Sequence, residues 1–390
     1  MVAPLDENHS FRPLNCLLKR GCAVVFMSYF NPFPEGQEGF KFIRFPKPRG
    51  GRVFPKLLGQ KFGSRLFRLL EWTTVLRLKV LYRRIRPAIV HVHWVDEHAY
   101  YYMKAGLRPL VLTVWGSDIN IHFLPDTDPI ARHRVGEALA CADLILIDSA
   151  DMHKKCAKLA GHVVPTKLFT LGIDIAMFRP GYAQAALEWR SKLNIPAEAT
   201  VLLSNRGWKP LYRHDCILEA FAQAMPRLNS KAILVFKILK KKGTDQDLYE
   251  KEMRGQAEQL GVTRMVRWMA EVPMNLLPEL YSFADVILNY PSMDAFPVTF
   301  LESAACECPV ISCRLPAYVD TFADEYFHLV SPDNLSELSE AIVDFVNHKR
   351  EPDRERLTEL RRIMCRDYDE KKVSDRLIEI YSKLHARLRQ

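Results

Sequence analysis

The sequence predicts an α/β protein of two domains built on parallel sheets, and three observations carry that prediction. Short apolar runs of strand length alternate with segments of helical period, the order of βαβ units rather than of an all-helical or all-strand chain. The alternation begins again near residue 180, and 390 residues are enough for two domains of ordinary size. Several strand-length runs end in polar loops, which is where open parallel sheets place their ligands.

In the first half, Met1 to Leu5 is expected as a strand, followed by the loop Asp6–Ser10 and a helix through Leu14, Leu17 and Leu18 closed by Gly21. Cys22–Met27 and Phe40–Phe45 are the next strands. A basic Pro/Gly loop, Pro46 to Pro55, leads into a long helix from about Lys56 to Arg84. That helix carries one stripe of Leu66, Leu69, Leu70, Thr73, Leu76 and Val80, and a second of Arg65, Arg68, Trp72, Val75, Lys79, Arg83 and Arg86. Ala88–Trp94, Pro109–Val114 and Ala142–Ile147 are strands, and Asp148-Ser-Ala opens a helix through Met152 to Leu159. The second half repeats the pattern with strands at Thr200–Ser204, Ala232–Leu239, Val266–Met269, Ala284–Leu288, Val310-Ile311 and Phe327–Val330. Helices are expected at Asp215–Met225, Leu276–Phe283, Leu335–Asn347 and Lys371–Leu388.

Composition bounds the class. Hydrophobic content of 48% and charged content of 26% are those of a soluble globular protein, and no apolar run nears the ~20 residues of a membrane span. The start, Met-Val-Ala-Pro-Leu followed by Asp6 and Glu7, reads as no signal peptide. Nine scattered cysteines suit a reduced cytoplasm, and Cys306, Cys308 and Cys313 read as core rather than as a zinc site. The net charge of +9 is uneven: Lys41 to Arg86 holds 14 Lys or Arg and one acid, Glu71. The bland meaning is a solvated basic face. The alternative is a surface for anionic lipid headgroups, helped by Trp72 and by Phe62 or Phe67. No nucleic-acid motif accompanies the charge, so no nucleic-acid partner is expected.

The most informative stretch runs from Asn289 to Ile311. A buried strand is followed by a loop, and Pro297 suits the first turn of a helix whose apolar face is Leu301, Ala304, Ala305 and Cys308. A helix opening at a strand's carboxyl end presents free N–H groups and its positive dipole end, which fits phosphate near Val298 and Thr299. Glu302 lies four and three residues beyond these two, on their face, where a carboxylate can accept hydrogen bonds from sugar hydroxyls.

Asp294-x7-Glu302 followed by Ser-Ala-Ala-Cys-Glu-Cys-Pro-Val-Ile resembles the Glu-x7-Glu signature of retaining glycosyltransferases of family four, which have the GT-B fold. The resemblance implies two Rossmann-like domains facing a cleft, with Glu302 on the nucleotide ribose and Asp294, here in place of Glu, on the donor sugar. Lys167 to Pro180 contains Gly-Ile-Asp174-Ile-Ala-Met-Phe178-Arg-Pro180, similar to the family's Gly-Val-Asp-x-x-x-Phe-x-Pro element, which ends the first domain. Domains are therefore expected at 1–180 and 181–370, with a last helix, 371–390, crossing back to the first. Leu218-Glu-Ala-Phe matches Leu-Ile-Glu-Ala-Phe, and the loop before it delivers an Arg and a Lys to the diphosphate in the family. Arg206 fits the Arg; the Lys position falls at Tyr212 or Arg213, with Lys209 a rival, in a loop expected to be exposed. With no acidic metal-binding pair in view, these cations must supply the positive charge that a diphosphate leaving group needs.

Nearer the start, His91-x-His93-Trp94 resembles the family's His-x-His-Trp strand end, where the residue at His93 borders the cleft. Trp115-Gly-Ser-Asp118 resembles its Thr-x-His-Gly-x-Asp turn, with Trp115 where a histidine is common; Asp118 faces the ligand, caps the helix beginning near Ile119, or does both. The first loop has His9 and Ser10 where the family has glycines, and His9 is a candidate donor or acceptor contact. The resemblance implies transfer of a sugar from a nucleotide-diphosphate sugar of UDP or GDP type, with no permanently bound cofactor and no metal. The acceptor would be a carbohydrate, lipid-linked or cell-envelope hydroxyl; the cysteines point to the cytoplasm, and the basic stripe to a peripheral place on the inner face of the membrane, its rival being a soluble enzyme acting on a small sugar or metabolite. Two alternatives stand beside it: an inactive binding protein of the same fold, left open by Asp294 and Trp115, and a metallohydrolase using His91, His93 and His98.

Overall fold

The computed structural model describes Met1 and residues 12–28, 39–44, 60–238, 245–348 and 354–388. All but the first residue of the strand expected at Met1 to Leu5, the loop with His9, the Pro46–Pro55 loop, the beginning of the long helix and the last residue of the strand expected at Ala232–Leu239 lie outside the described residues. The chain divides into two compact units, Met1–Leu171 with Lys371–Gln390, and Gly172–Glu370.

In the first unit β1 (Val24–Ser28) pairs with β2 (Phe40–Arg44), and β3 (Val90–His93), β4 (Leu110–Thr113), β5 (Leu144–Ile147) and β6 (Thr166–Leu168) follow one another across a sheet. Every pairing is parallel. β3 and β4 are buried throughout, which is why they read as continuous apolar runs rather than alternating ones. The Glu370–Arg387 helix adds Leu377, Ile380 and Leu384 to a cluster with Leu14, Leu17, Val24 and Phe26.

The long helix spans Gln60–Ile85 and turns Thr74 and Leu78 inward. Burying Thr74 is tolerable because its hydroxyl donates to the Leu70 carbonyl at 2.8 Å. The Leu66-to-Val80 stripe is therefore not a core face: Leu69, Leu76 and Val80 are exposed, and with Trp72 their exposures run from 41% to 61%. They share the outward side with Arg65, Arg68, Lys79 and Arg83.

The second unit has one six-stranded parallel sheet in the order β12-β11-β10-β7-β8-β9. Its strands are β7 (Thr200–Ser204), β8 (Ala232–Lys237), β9 (Val266–Met269), β10 (Val286–Asn289), β11 (Val310–Cys313) and β12 (His328–Val330). From β7 the chain builds outward through β8 and β9, then returns to β10 on the other side of β7. That makes β7/β10 a topological switch point, whose carboxyl ends open a crevice for ligands. Ile173 and Phe178 are fully buried in this unit's core, so the residue 172–180 element belongs with it, nine residues ahead of the boundary expected at 180. Gly172 is required there: a Cβ would sit 2.6 Å from the Cα of Glu370, beside the Ile173–Asp369 bridge. Cys306, Cys308 and Cys313 are buried in the same core, with free thiols whose pKa values burial raises.

Candidate active site

Arg206 follows β7 and Asp294 follows β10, so the switch point brings them together despite a separation of 88 in sequence: Nη2 of Arg206 donates to Oδ2 of Asp294 at 2.7 Å. Tyr318 donates its hydroxyl to the same oxygen at 3.0 Å, and the guanidinium lies 4.4 Å from the centroid of the Tyr212 ring. Burial pushes the Asp294 carboxyl up against the opposing pull of Arg206. Burial likewise works against the guanidinium, but Asp294, Tyr212 and Tyr318 together hold its pKa above the ordinary value.

Arg206 is 9% exposed, not the flexible surface cation that the loop's composition suggests. The cause is Trp208, buried and stacked on His214 with ring centroids 4.8 Å apart. Nε2 of His214 donates to the Gly207 carbonyl at 3.1 Å, and the Ser204 hydroxyl donates to Nδ1 at 3.1 Å, the assignment that satisfies both partners. One neutral tautomer fills both roles, and burial brings the imidazole pKa down to about 4. The loop is thus pinned on both sides of Arg206.

Glu302 is buried on the Val298–Ala305 helix. The Tyr281 hydroxyl donates to its Oε2 at 2.8 Å, and Nδ2 of Asn205 donates to that hydroxyl at 3.0 Å. An Asn205–Tyr281–Glu302 chain therefore fixes the carboxylate against the end of β7. Pro297 is the residue before the helix, with extended backbone, rather than part of its first turn. The helix has no side-chain cap, so the amides of Val298 and Thr299 open it toward the strand ends.

The remaining basic residues of the loop go elsewhere. Arg213 takes a left-handed backbone at φ 49°, pairs with Asp333 at 2.6 Å and lies 4.9 Å from the Tyr290 centroid. Lys209 is exposed. Neither hydrogen-bonds to the Arg206–Asp294 pair among the described residues.

In the first unit, Asp118 is buried at the end of β4 and accepts two backbone N–H bonds, Val95 at 2.8 Å and Trp115 at 2.9 Å. Its carboxyl is pushed up to about 6 by burial. It ties the loop after β3 to the loop after β4 and does not cap a helix; the Ser117–Asn120 turn starts from Gly116, whose φ of 97° suits only glycine. His93 is buried, its ring 4.0 Å from His91 and 6.0 Å from Trp115. His91 has both ring nitrogens engaged, Nε2 with Thr113 at 2.6 Å and Nδ1 with Tyr381. His98 is held by Asp96. His91 and His98 are thus engaged locally, and no group of three His, Cys, Asp or Glu among the described residues could hold a metal ion.

The structure brings together Arg206 and Asp294 and places Glu302 on the adjoining helix, and it adds Asn205, Tyr281 and Tyr318, which sequence reasoning did not name, as their hydrogen-bonding partners. Asn205 adjoins Arg206 and was within reach. Tyr281 and Tyr318 stand 21 and 24 residues from their carboxylate partners, on elements with no motif.

Both halves of the chain match known family models. Residues 1–149 match the family described as glycosyl transferase 4-like, and residues 186–363 match glycosyl transferases group 1. A D-inositol 3-phosphate glycosyltransferase of Catenulispora acidiphila is 25% identical over 245 residues, 58% of this chain and 56% of that protein. One from Segniliparus rotundus is 28% identical over 266 residues, 64% and 56% of the two chains. The match thus spans little more than half the length of these relatives. Among solved structures, Anabaena HepE in complex with UDP and glucose has a TM-score of 0.74 at 16% identity, covering 98% of this chain and 99% of its own. Sucrose-phosphate synthase from Thermosynechococcus elongatus has a TM-score of 0.77 at 16% identity, covering 99% of both. At these identities the likeness establishes the fold.

Proposed function

Because the chain belongs to the family-four type of glycosyltransferases with the GT-B fold, we propose that it transfers a sugar from a nucleotide-diphosphate sugar to a hydroxyl acceptor with retention of configuration. The observation that carries the reading is the meeting of Arg206, Asp294 and the oriented Glu302 at the switch point of the second unit. In the proposed reaction the bond from the anomeric carbon to the diphosphate oxygen breaks. The acceptor oxygen bonds to that carbon on the same face, and its proton passes to the departing diphosphate. Arg206 and the opening amides of the Val298–Ala305 helix offset the charge that builds on the leaving group, without a metal. Glu302 holds the ribose and Asp294 the sugar; His93 and Asp118 shape the first unit's loops. The UDP bound in HepE supports a UDP-type donor.

Glu302→Ala removes an acceptor of charge-assisted hydrogen bonds, worth about 1.5–3 kcal/mol, so nucleotide affinity should fall roughly ten- to a hundredfold by calorimetry. Unchanged affinity would remove Glu302 from the site. An inactive binding protein of this fold would bind the nucleotide and give no product with any donor in a mass-spectrometric panel.

A membrane-bound acceptor is favoured by the outward face of the Gln60–Ile85 helix. Leu69, Trp72, Leu76 and Val80 lie exposed among Arg65, Arg68, Lys79 and Arg83. The helix's acid, Glu71, is turned inward onto Arg134 at 2.6 Å, so it leaves the basic face undiluted. An apolar stripe in a basic border fits an anionic bilayer surface, at about 1 kcal/mol per cation. We therefore place the enzyme on the cytoplasmic leaflet, acting on a lipid-linked or envelope acceptor. It should co-sediment with anionic but not neutral vesicles, and reversal of Arg65, Arg68 and Arg83 to Glu should abolish this. No sedimentation at low salt would leave a soluble acceptor.

A further inference from the structure

We propose that Lys237 is the second cation of the donor diphosphate site, filling the place that the Arg206 loop leaves empty. The proposal rests on the donor reading above and goes beyond it by assigning a residue from a different element.

Lys237 is the last residue of β8, and β8 pairs in parallel with β7 so that Phe236 stands opposite Ser204. Lys237 therefore leaves the sheet beside Asn205 and Arg206. β10, β7 and β8 are consecutive in the sheet, so the Asp294 and Glu302 element, Arg206 and Lys237 occupy three neighbouring strand ends. No loop position offers an equivalent cation. The Tyr212 ring lies against the Arg206 guanidinium, Arg213 is paired with Asp333, and Lys209 is exposed.

The state of Lys237 is itself informative. It is 8% exposed, yet among the described residues its ammonium makes no ion pair and no hydrogen bond. Lysines are almost never buried unless paired, because a lone ammonium in a dry setting is costly. The charges it feels are Glu302 and Glu271, which favour its protonation, and Arg206, which opposes it; burial outweighs them and lowers its pKa. Arg206 has Asp294 as a directly paired counter-ion at 2.7 Å, whereas among the described residues Glu302 and Glu271 act on Lys237 without forming an ion pair with it. A bound anion between Lys237 and Arg206 supplies the missing charge, and an ammonium serves phosphate well as a compact point charge.

The test uses the full chain and two ligands, UDP and uridine, with GDP and guanosine as the second pair. Lys237→Met keeps the bulk and removes the charge; Lys237→Gln repeats the experiment with a polar group. UDP affinity should fall roughly ten- to a hundredfold, uridine affinity should stay within about twofold, and Lys237→Arg should recover most of the loss. The melting temperature of Lys237→Met should equal or exceed that of wild type, because an unpaired buried charge has gone. Equal UDP affinity in wild type and Lys237→Met would overturn the proposal, as would a parallel loss for UDP and uridine, which would assign Lys237 to the nucleoside. A wild-type protein that binds neither UDP nor GDP overturns the donor reading itself, a result visible before any variant is made.

Discussion

Both units bring a buried carboxylate to the carboxyl end of a central strand, but they satisfy it differently. Asp118 in the first unit is met by two backbone amides, Val95 and Trp115. Asp294 and Glu302 in the second are met mainly by side chains, Arg206 with Tyr318 and Tyr281, with one backbone amide, Ala295, on Asp294 at 3.1 Å. Amides fixed in a loop cannot be reassigned, so Asp118 is committed to loop shape. Guanidinium and phenol groups can pivot toward a ligand, and the strand-end cations lie on the same side. The same strand-end position therefore carries fixed loop hydrogen bonds in one unit and side-chain partners in the other, the arrangement that we propose serves the donor.

The sharpest way to break that contrast is at Arg206. Arg206→Ala removes a charge-stabilising donor, which should lower turnover about 10²–10³-fold. It also strands Asp294 without its cation, and breaking a buried pair by removing one partner costs about 3–5 kcal/mol. Adding Asp294→Asn should restore most of the melting temperature without restoring turnover. If the double variant regained activity with its stability, Arg206 would be structural and the contrast between the units would collapse.

How much of this was legible follows from the range of the interactions. The Arg206 loop, Asp294 and Glu302 were visible because each sits in a short motif whose helix start or strand end can be read locally. The burial of Arg206 was not, because it depends on Trp208 stacking on His214, a tertiary contact in a loop that looks polar and basic. The outward turn of Leu69, Leu76 and Val80 was invisible for a related reason. Periodicity shows that a stripe exists, but only the rest of the fold decides which side of a helix with apolar residues on several faces is covered.

A smaller effect separates the units by pH. His214 has a folded pKa of about 4, below its ordinary 6.5, so the unfolded chain takes up the proton first. Its contribution is present above pH 6.5 and lost as pH falls through 4, on the order of 3 kcal/mol. Asp118 has the opposite sign: its folded pKa of about 6 exceeds the ordinary 3.8, so its contribution is present below 3.8 and lost as pH rises through 6. That is again on the order of 3 kcal/mol. Denaturant melts of His214→Gln, whose amide can keep both bonds, should lose the acid-side decline. Asp118→Asn should lose the opposite slope while falling about 1–3 kcal/mol overall, since an amide cannot accept both N–H groups on two oxygens. Slopes unchanged in both variants would mean that other groups set the pH dependence.

The smallest expected effect lies at the border of the second site. Arg213 pairs with Asp333, which is 80% exposed, and such an ion pair is worth less than about 1 kcal/mol. Asp333→Asn should therefore move the melting temperature little. It also frees Arg213, one of the positions at which the family resemblance puts the second cation, from its ion pair. With the guanidinium set against Tyr290 and Lys237 in place at β8, Asp333→Asn should leave UDP affinity within about twofold. Arg213→Ala should weaken it less than about fivefold, well short of the change at Lys237. A tenfold loss in Arg213→Ala, together with a gain in Asp333→Asn, would return the second cation to the loop and leave Lys237 as a buried charge with a different purpose. The pair of variants thus reads out which strand end carries the cation, β7 or β8, with Asp333→Asn serving as the control for loop geometry.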